Sequence, residues 1–152
     1  MTVLLLALVL GAPVEAQRDV GGSPGDVLCA VSVLAVDPQG RLLRNRTVSG
    51  SRTPAVVFRG RAAHVSEGDP PLLFDVFNPR GQRYQVLLGS ASGRSATLQG
   101  RSQSPGGPVE ATMAVAGSSI AWTSMFGRWQ VVPRFEGQDS PCGPAQAFTI
   151  LP

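Results

Sequence analysis

The chain has 152 residues, enough for one domain, and it carries thirteen basic residues against ten acidic residues. All thirteen basic residues are arginine, and the formal charge of +3 favours weak attraction to anionic surfaces. A charge of this size gives no basis for a nucleic-acid-binding function, and we expect no nucleic acid among the partners.

The N-terminus begins with an unbroken apolar run, MTVLLLALVL, followed by GAPVEAQ. Val14 and Ala16 stand at the −3 and −1 positions of a signal-peptide cleavage site before Gln17. The run is about half the roughly 20 residues that span a bilayer. No arginine or lysine precedes it, so the start lies within a longer signal or the amino terminus alone supplies the charge; a buried strand is the alternative. We predict a signal peptide at 1–16, a secreted or periplasmic protein, and no transmembrane segment in the mature chain.

The two cysteines flank nearly all of the chain that would remain after cleavage. Residues 17–26, QRDVGGSPGD, are predicted to form a flexible leader before a single domain at 27–152. In an oxidising compartment, Cys29 and Cys142 are expected to form one disulfide. The alternatives are two buried free thiols or a metal pair, and a metal needs more ligands than these.

The rest of the chain is patterned as short strands. The predicted strands lie at 27–36, loosely at 41–49, at 55–59 and 61–66 with a bulge or bend at Gly60, in a hairpin within 71–89, weakly at 96–102, at 109–115, at 127–135 and at 146–151. No window keeps helical spacing, and 18 glycines and 13 prolines punctuate the strands. This pattern predicts an all-β, antiparallel sandwich of about seven to nine strands.

Two hairpins carry finer predictions. In the first, Asn78-Pro79-Arg80-Gly81 matches a type I turn, and Tyr84, Val86 and Leu88 share one parity after it. In the last, alternation places Trp129, Val131, Pro133 and Phe135 on a core face, and Arg128, Gln130, Val132 and Arg134 on the other. Pro133 has no N–H to donate, which predicts an edge strand or a bulge there.

The pattern W-x-x-x-F-G-R-W-Q-V-V at 122–132, followed by A-F-T-I at 147–150, resembles the last two strands of secreted bacterial immunoglobulin-like domains. The hairpin LLFDVFNPRGQRYQV is similar to their central hairpin. The resemblance implies an immunoglobulin-like sandwich and carries no catalytic residues. The chain departs from antibody domains, because a Cys29–Cys142 bridge would join its ends and not the centres of two sheets.

Motifs for catalysis are missing, since the sequence has no HExxH, GxSxG, Walker loop or CxxC. His64 is the only histidine and is expected to face solvent. The carboxylate pairs Glu67 with Asp69 and Glu136 with Asp139 lie in turns. His64, Met113 and Met125 are the possible soft ligands for copper, but the pattern of both methionines is more typical of core packing. We expect no enzymatic activity, no cofactor and no metal.

One feature stands out, which is charge segregation. No acid occurs between Asp37 and Glu67, where six arginines lie. If the strands bearing Arg44 and Arg46 and those bearing Arg59 and Arg61 are neighbours, the four side chains form one basic patch that fits an anionic envelope polymer or protein. The expected function is an exported, non-enzymatic binding or envelope-associated module. The alternatives are an assembly protein joining partners through sheet edges and a small metal-binding protein that uses His64.

Overall fold

A computed structural model describes residues 29–62, 70–91 and 107–152 of the chain. The predicted signal peptide and leader, the strand at 96–102, and His64 with Glu67 and Asp69 lie outside these residues. Among the described residues, no helix is long and apolar enough to cross a membrane.

The described residues form an all-β sandwich of two five-stranded sheets, which confirms the predicted fold class. One sheet has the order β2-β1-β4-β8-β7 and the other the order β3-β10-β9-β5-β6. The strands are β1 (Cys29–Val36), β2 (Leu42–Leu43), β3 (Thr47–Ser49), β4 (Ala55–Ala62), β5 (Leu72–Phe77), β6 (Arg83–Leu88), β7 (Ser90–Ala91), β8 (Val109–Ala114), β9 (Gly127–Phe135) and β10 (Gln146–Leu151). The only described helix, α1 (Ser119–Trp122), joins β8 to β9. The count of ten exceeds the predicted seven to nine because three edge strands are only two or three residues long.

Aromatic side chains from both sheets meet in the core. Phe58 of β4 lies across the sandwich from Phe74 of β5 and Phe148 of β10, with ring centroids 6.1 and 5.7 Å apart. Trp129 of β9 is fully buried and stacks on Phe148 at 6.2 Å. Trp129 and Val131 are buried while Arg128 and Gln130 are exposed, so the predicted division of this strand into a core face and a solvent face is confirmed.

The disulfide joins Cys29, the first residue of β1, to Cys142 in the connection between β9 and β10, as predicted. The Cys29 N–H donates to the carbonyl of Cys142 at 2.9 Å. Gly143 fits closely beside the bridge, because a Cβ at that position would lie 1.9 Å from the Cys29 carbonyl oxygen. The bridge therefore ties the two ends of the described domain together.

One strand pair departs from the antiparallel prediction. Strand β3 runs parallel to β10, with Thr47 opposite Thr149. The chain leaves the first sheet after β2 and joins the second as β3. Strands β3 and β10 are therefore neighbours in the sheet although almost the whole domain separates them in sequence. Parallel neighbours need a long connection of this kind.

The predicted break at Gly60 is wrong. Strand β4 runs without interruption, and Gly60 pairs with Val31 on one side and with Val109 on the other. The glycine is needed for space, since a Cβ there would lie 2.5 Å from Leu72 Cδ2 and 2.9 Å from Phe74 Cζ. It marks a close approach of the facing sheet to the backbone of β4.

The prediction that Pro133 marks an edge or bulged strand is also wrong, because β9 lies inside its sheet between β10 and β5. Pairing with β10 ends at Val131, two residues earlier. The Pro133 carbonyl accepts a hydrogen bond from the Cys142 N–H at 3.0 Å, on the side of β9 where pairing with β10 has already ended. A strand residue points its nitrogen and its carbonyl to the same side, so no ladder donor toward β5 is lost.

Strand β6 contains a bulge that the sequence did not indicate. Gln85 pairs with Val76 and Arg83 with Phe77, which leaves Tyr84 without a partner in the ladder. The parity of side chains reverses there, so the predicted shared face of Tyr84, Val86 and Leu88 is wrong. Tyr84 packs against the core, whereas Val86 and Leu88 are 43% and 46% exposed.

Candidate functional site

The segments that carry the four arginines proposed from the sequence are not neighbouring strands. Arg44 and Arg46 are exposed in the connection between β2 and β3. Arg59 and Arg61 lie on β4, whose neighbours in the sheet are β1 and β8, so the condition that these segments be neighbours is not met. The segments are also displaced along β1, because Arg61 is opposite Ala30, whereas β2 pairs only with the last two residues of β1.

Arg59 also has a partner of its own. Its Nε–H donates to Oε1 of Glu110 on the adjacent strand β8 at 2.5 Å. Arg61 is exposed and makes no ion pair with the described residues. Part of the positive charge predicted for this strand is therefore neutralised.

A different set of arginines is brought together at the opposite end of the sandwich from the disulfide. We call this the tryptophan end, and it consists of residues 37–41, 50–54, 78–83, 115–128 and 151–152. The disulfide end consists of Cys29, Leu72, 88–90, 109–110 and 134–146. Strand direction assigns each connection to its end, since β4 and β9 begin at the tryptophan end while β5 and β10 begin at the disulfide end.

Hydrogen bonds and close packing join the connections of the tryptophan end. Residues 53 and 54 accept backbone hydrogen bonds from Ala116 and Val115, and the Gly50 N–H donates to the Leu151 carbonyl at 2.6 Å. The 78–81 turn packs beside the start of β9, where a Cβ on Gly127 would lie 3.2 Å from Pro79. These contacts bring three connections and the end of β10 together at one end of the sandwich.

Helix α1 is a single turn with both ends satisfied. At its start the Ser118 side chain accepts from the Ile120 N–H at 3.2 Å. At its end the Ser124 N–H donates to the Ala121 carbonyl and the Met125 N–H to the Ile120 carbonyl, at 3.3 and 3.0 Å. This is a Schellman motif, and Ser124 takes the left-handed conformation, with φ of 53°, that usually requires glycine.

The same helix is anchored to the rest of the fold. Ile120 is fully buried in the core, and Ser119 Oγ is 2.6 Å from the Tyr84 hydroxyl. The Trp129 indole N–H donates to the Met125 carbonyl at 3.0 Å. The helix is therefore held against the core, and its orientation is set by Ile120 and by the contacts of Tyr84 and Trp129.

On this fixed turn Trp122 is 82% exposed, far more than any other large apolar side chain in the described residues. A tryptophan packed in a core buries more apolar surface than most residues. Trp129 is packed in the core in this way, whereas Trp122 is left in solvent. Leu42 and Leu151, which are close to half exposed, lie near the same end.

Four exposed arginines lie at this end, namely Arg52 between β3 and β4, Arg80 in the β5–β6 turn, Arg83 at the start of β6 and Arg128 near the start of β9. None of them makes an ion pair with the described residues, where the ion pairs are Arg41–Asp37, Arg59–Glu110 and Arg134–Asp75. Asp37 is the one acidic side chain among the described residues of the tryptophan end, and Arg41 already neutralises it. The tryptophan end therefore carries uncompensated positive charge.

Asp37 closes the turn after β1. The backbone N–H of Arg41 donates to Oδ1 at 2.8 Å and its Nε–H to Oδ2 at 2.6 Å. The backbone hydrogen bond from Arg41 lowers the pKa of Asp37 below its ordinary value of 3.8, more than desolvation raises it, and the charge of Arg41 acts in the same direction.

The ion pair between Arg134 and Asp75 lies on the outer face of the sheet that contains β9 and β5. Arg134 of β9 donates from Nε to Oδ2 of Asp75 on β5 at 2.5 Å, and both side chains are largely buried. This hydrogen bond raises the pKa of Arg134 above its ordinary value. Arg134 also reaches the Gln138 carbonyl at 3.4 Å, which ties the β9–β10 connection to the sheet.

The remaining residues considered from the sequence do not form a metal site in the part of the chain that is described. No group of three or more His, Cys, Asp or Glu residues could hold a metal ion there. Met113 is buried on β8, and Met125 packs against the core. Both positions agree with the predicted role of these methionines in packing.

No protein-family model, curated protein or solved structure matches the chain. The function has to be inferred from the chain's own residues and their arrangement.

Proposed function

We propose that this protein is an exported, non-enzymatic binding module with an immunoglobulin-like fold, which contacts anionic components of the cell envelope through arginines. The observation that carries the proposal is the charge of Arg52, Arg80, Arg83 and Arg128 at the tryptophan end, none of which makes an ion pair with a described residue. Guanidinium groups make bidentate hydrogen bonds with phosphate and carboxylate groups, which are the ligands that this surface would attract.

Export is supported by two independent features. The N-terminal sequence has the apolar run and cleavage-site pattern of a secretory signal. The Cys29–Cys142 disulfide is typical of proteins that fold in an oxidising compartment, such as the periplasm or the extracellular space. Mass spectrometry of the chain isolated from its host should find a mature N-terminus at Gln17.

The strand order supports the immunoglobulin-like assignment. Such domains place strands A, B, E and D in one sheet and C, F and G in the other. The orders β1-β4-β8-β7 and β10-β9-β5 correspond to A-B-E-D and G-F-C, with β6 added beyond C. The disulfide differs, since it joins the start of the first strand to the F–G connection.

The test measures retention of the protein on isolated host envelope at low and high salt, about 0.05 and 0.5 M NaCl, because salt screens exposed charges. The variant R52Q/R80Q/R83Q/R128Q should lose most of the salt-sensitive retention. The matched control is R44Q/R46Q/R59Q/R61Q, which removes the same number of charges from the positions first proposed from the sequence.

Each outcome has a defined meaning. A larger loss in the first variant locates the contact at the tryptophan end, and a larger loss in the second returns it to the segment 41–61. Equal losses would mean that only net charge matters. Retention by the unaltered protein that does not change with salt would overturn the proposal.

A second candidate is assembly through a sheet edge, and strand β6 favours it. It is the edge of its sheet, six residues long, with Val86 and Leu88 exposed on its outer face. The regular stretch 85–88, beyond the bulge at Tyr84, is able to pair with a strand from another chain. Self-association that persists at high salt and disappears in Val86→Lys would favour this function over the charged surface.

A further inference from the structure

The tryptophan end combines two properties that its arginines alone do not explain. Trp122 projects from a turn whose caps and buried anchor, Ile120, hold it in place. Leu42 and Leu151 expose aliphatic surface near the same end. Aliphatic groups contribute nothing to the recognition of a hydrated anionic polymer, but they fit the boundary between lipid headgroups and acyl chains.

Tryptophan is the side chain best suited to that boundary, because its large ring is apolar and its indole N–H still finds polar partners. Trp122 has no partner for this N–H among the described hydrogen bonds, whereas the indole N–H of Trp129 is satisfied inside the fold. Arginines beside an inserted tryptophan would contact lipid phosphates, since basic residues near an anionic leaflet are attracted to it.

We infer that the tryptophan end docks on the surface of an anionic phospholipid bilayer, with Trp122 inserted at the interface and Arg52, Arg80, Arg83 and Arg128 on the headgroups. This inference rests on the proposed function and names the partner of the same surface. The contact is peripheral, because one ring and four charges give reversible attachment and not a membrane span.

The two tryptophans provide a direct probe of insertion. Trp129 is fully buried, and Trp122 is exposed, so a change of emission on binding vesicles reports Trp122. With vesicles containing phosphatidylglycerol, emission should shift to shorter wavelength and be quenched by brominated acyl chains. In Trp122→Phe the one remaining tryptophan, Trp129, is buried, so both effects should disappear. Binding measured by sedimentation should persist in this variant.

Affinity variants separate the two contributions. Trp122→Ala should weaken binding to phosphatidylglycerol vesicles about tenfold, as expected for loss of an inserted aromatic ring. The variant R52Q/R80Q/R83Q/R128Q should weaken it by about 100-fold or more. The matched apolar control is Leu88→Ala, which removes a half-exposed side chain at the disulfide end and should leave binding unchanged.

Failure of this inference is distinguishable from failure of the proposed function. Envelope retention that depends on the arginines, with no vesicle binding or with vesicle binding that leaves Trp122 emission unchanged, overturns the bilayer inference and leaves the proposed function standing. Equal binding to phosphatidylcholine vesicles overturns the role of headgroup charge. Absence of both vesicle binding and salt-sensitive envelope retention overturns both.

Discussion

At the disulfide end, the first strand is joined covalently to the last connection, whereas the tryptophan end is held by hydrogen bonds between separate turns. Cys29 and Cys142 share a disulfide and a backbone hydrogen bond, and Arg134 links Gln138 of the same connection to Asp75 of β5. The carboxylates Glu110, Glu136 and Asp139 also lie there. This end is closed by the disulfide, and acidic side chains outnumber basic ones among its described residues.

The tryptophan end has the reverse character. Its turns are well ordered by capping and by Ile120, yet it leaves Trp122 and four arginines without partners in the described chain. A single domain of this size gains most of its stability from its core, so groups left exposed on a rigid support are available for binding. The disulfide therefore closes one end of the sandwich, and the proposed binding surface lies at the other end.

Removing the disulfide should produce the largest effect on stability. The bridge closes a loop of 113 residues, for which the chain-entropy model gives about 4–5 kcal/mol of stabilisation. Cys29→Ser with Cys142→Ser should therefore lower the free energy of unfolding by about 2–5 kcal/mol and the melting temperature by roughly 10–20 °C. Hydrogen exchange should increase first at the disulfide end. A loss below about 1 kcal/mol would contradict the stabilising role assigned to this end.

Breaking the buried ion pair should have the next largest effect. Asp75→Asn leaves the guanidinium of Arg134 largely buried beside a neutral amide, which should destabilise the fold by about 1–3 kcal/mol in urea unfolding. The control is Arg59→Gln, whose ion pair with Glu110 is more exposed and contributes under about 1 kcal/mol. Equal effects of the two substitutions would show that burial of the pair does not matter.

A substitution at the tryptophan end should stabilise the protein. Ser124 has a φ of 53° at the C-terminal cap of α1, a conformation that glycine adopts without strain. Ser124→Gly should raise the free energy of unfolding by about 0.5–1 kcal/mol. Ser124→Ala keeps the strain and is the matched control, so a gain in that variant as well would refute this explanation.

The sequence was sufficient for features that depend on local alternation. The faces of β9 follow from the period-two pattern at Trp129 and Val131, and the disulfide was predicted from the two cysteines together with the predicted signal peptide. The bulge at Tyr84 could not be predicted, because it depends on pairing with Phe77 and Val76 and not on any residue type. Similarly, the position of Pro133 inside a sheet depends on where β10 ends.

The candidate site was harder to predict for a related reason. Arg44, Arg46, Arg59 and Arg61 are close in sequence, and that proximity suggested a patch. The arginines that the fold brings to one end are Arg52, Arg80, Arg83 and Arg128, which come from three parts of the chain: the β3–β4 connection, the β5–β6 hairpin and the start of β9. The available signal was in the turns themselves, since Asn78-Pro79-Arg80-Gly81 already placed Arg80 at the end of a hairpin.

The smallest expected effect concerns the turn after β1 and depends on pH. In the folded protein the pKa of Asp37 lies below its ordinary value of 3.8, because its carboxylate accepts hydrogen bonds from Arg41. The unfolded chain therefore binds a proton more readily than the folded chain, so the stabilisation by Asp37 is complete above about pH 4 and is lost as the pH falls through the folded pKa. Asp37→Asn removes this group.

Urea unfolding at about pH 6 and about pH 3 should show a difference between the unaltered protein and Asp37→Asn that shrinks on acidification. The turn would then belong with the ordered support of the tryptophan end, because its carboxylate stabilises the fold and is not free for binding. A difference that stays constant or grows at low pH would mean that Arg41 does not hold the Asp37 carboxylate in its charged form. Arg41 would then join the arginines available at this surface.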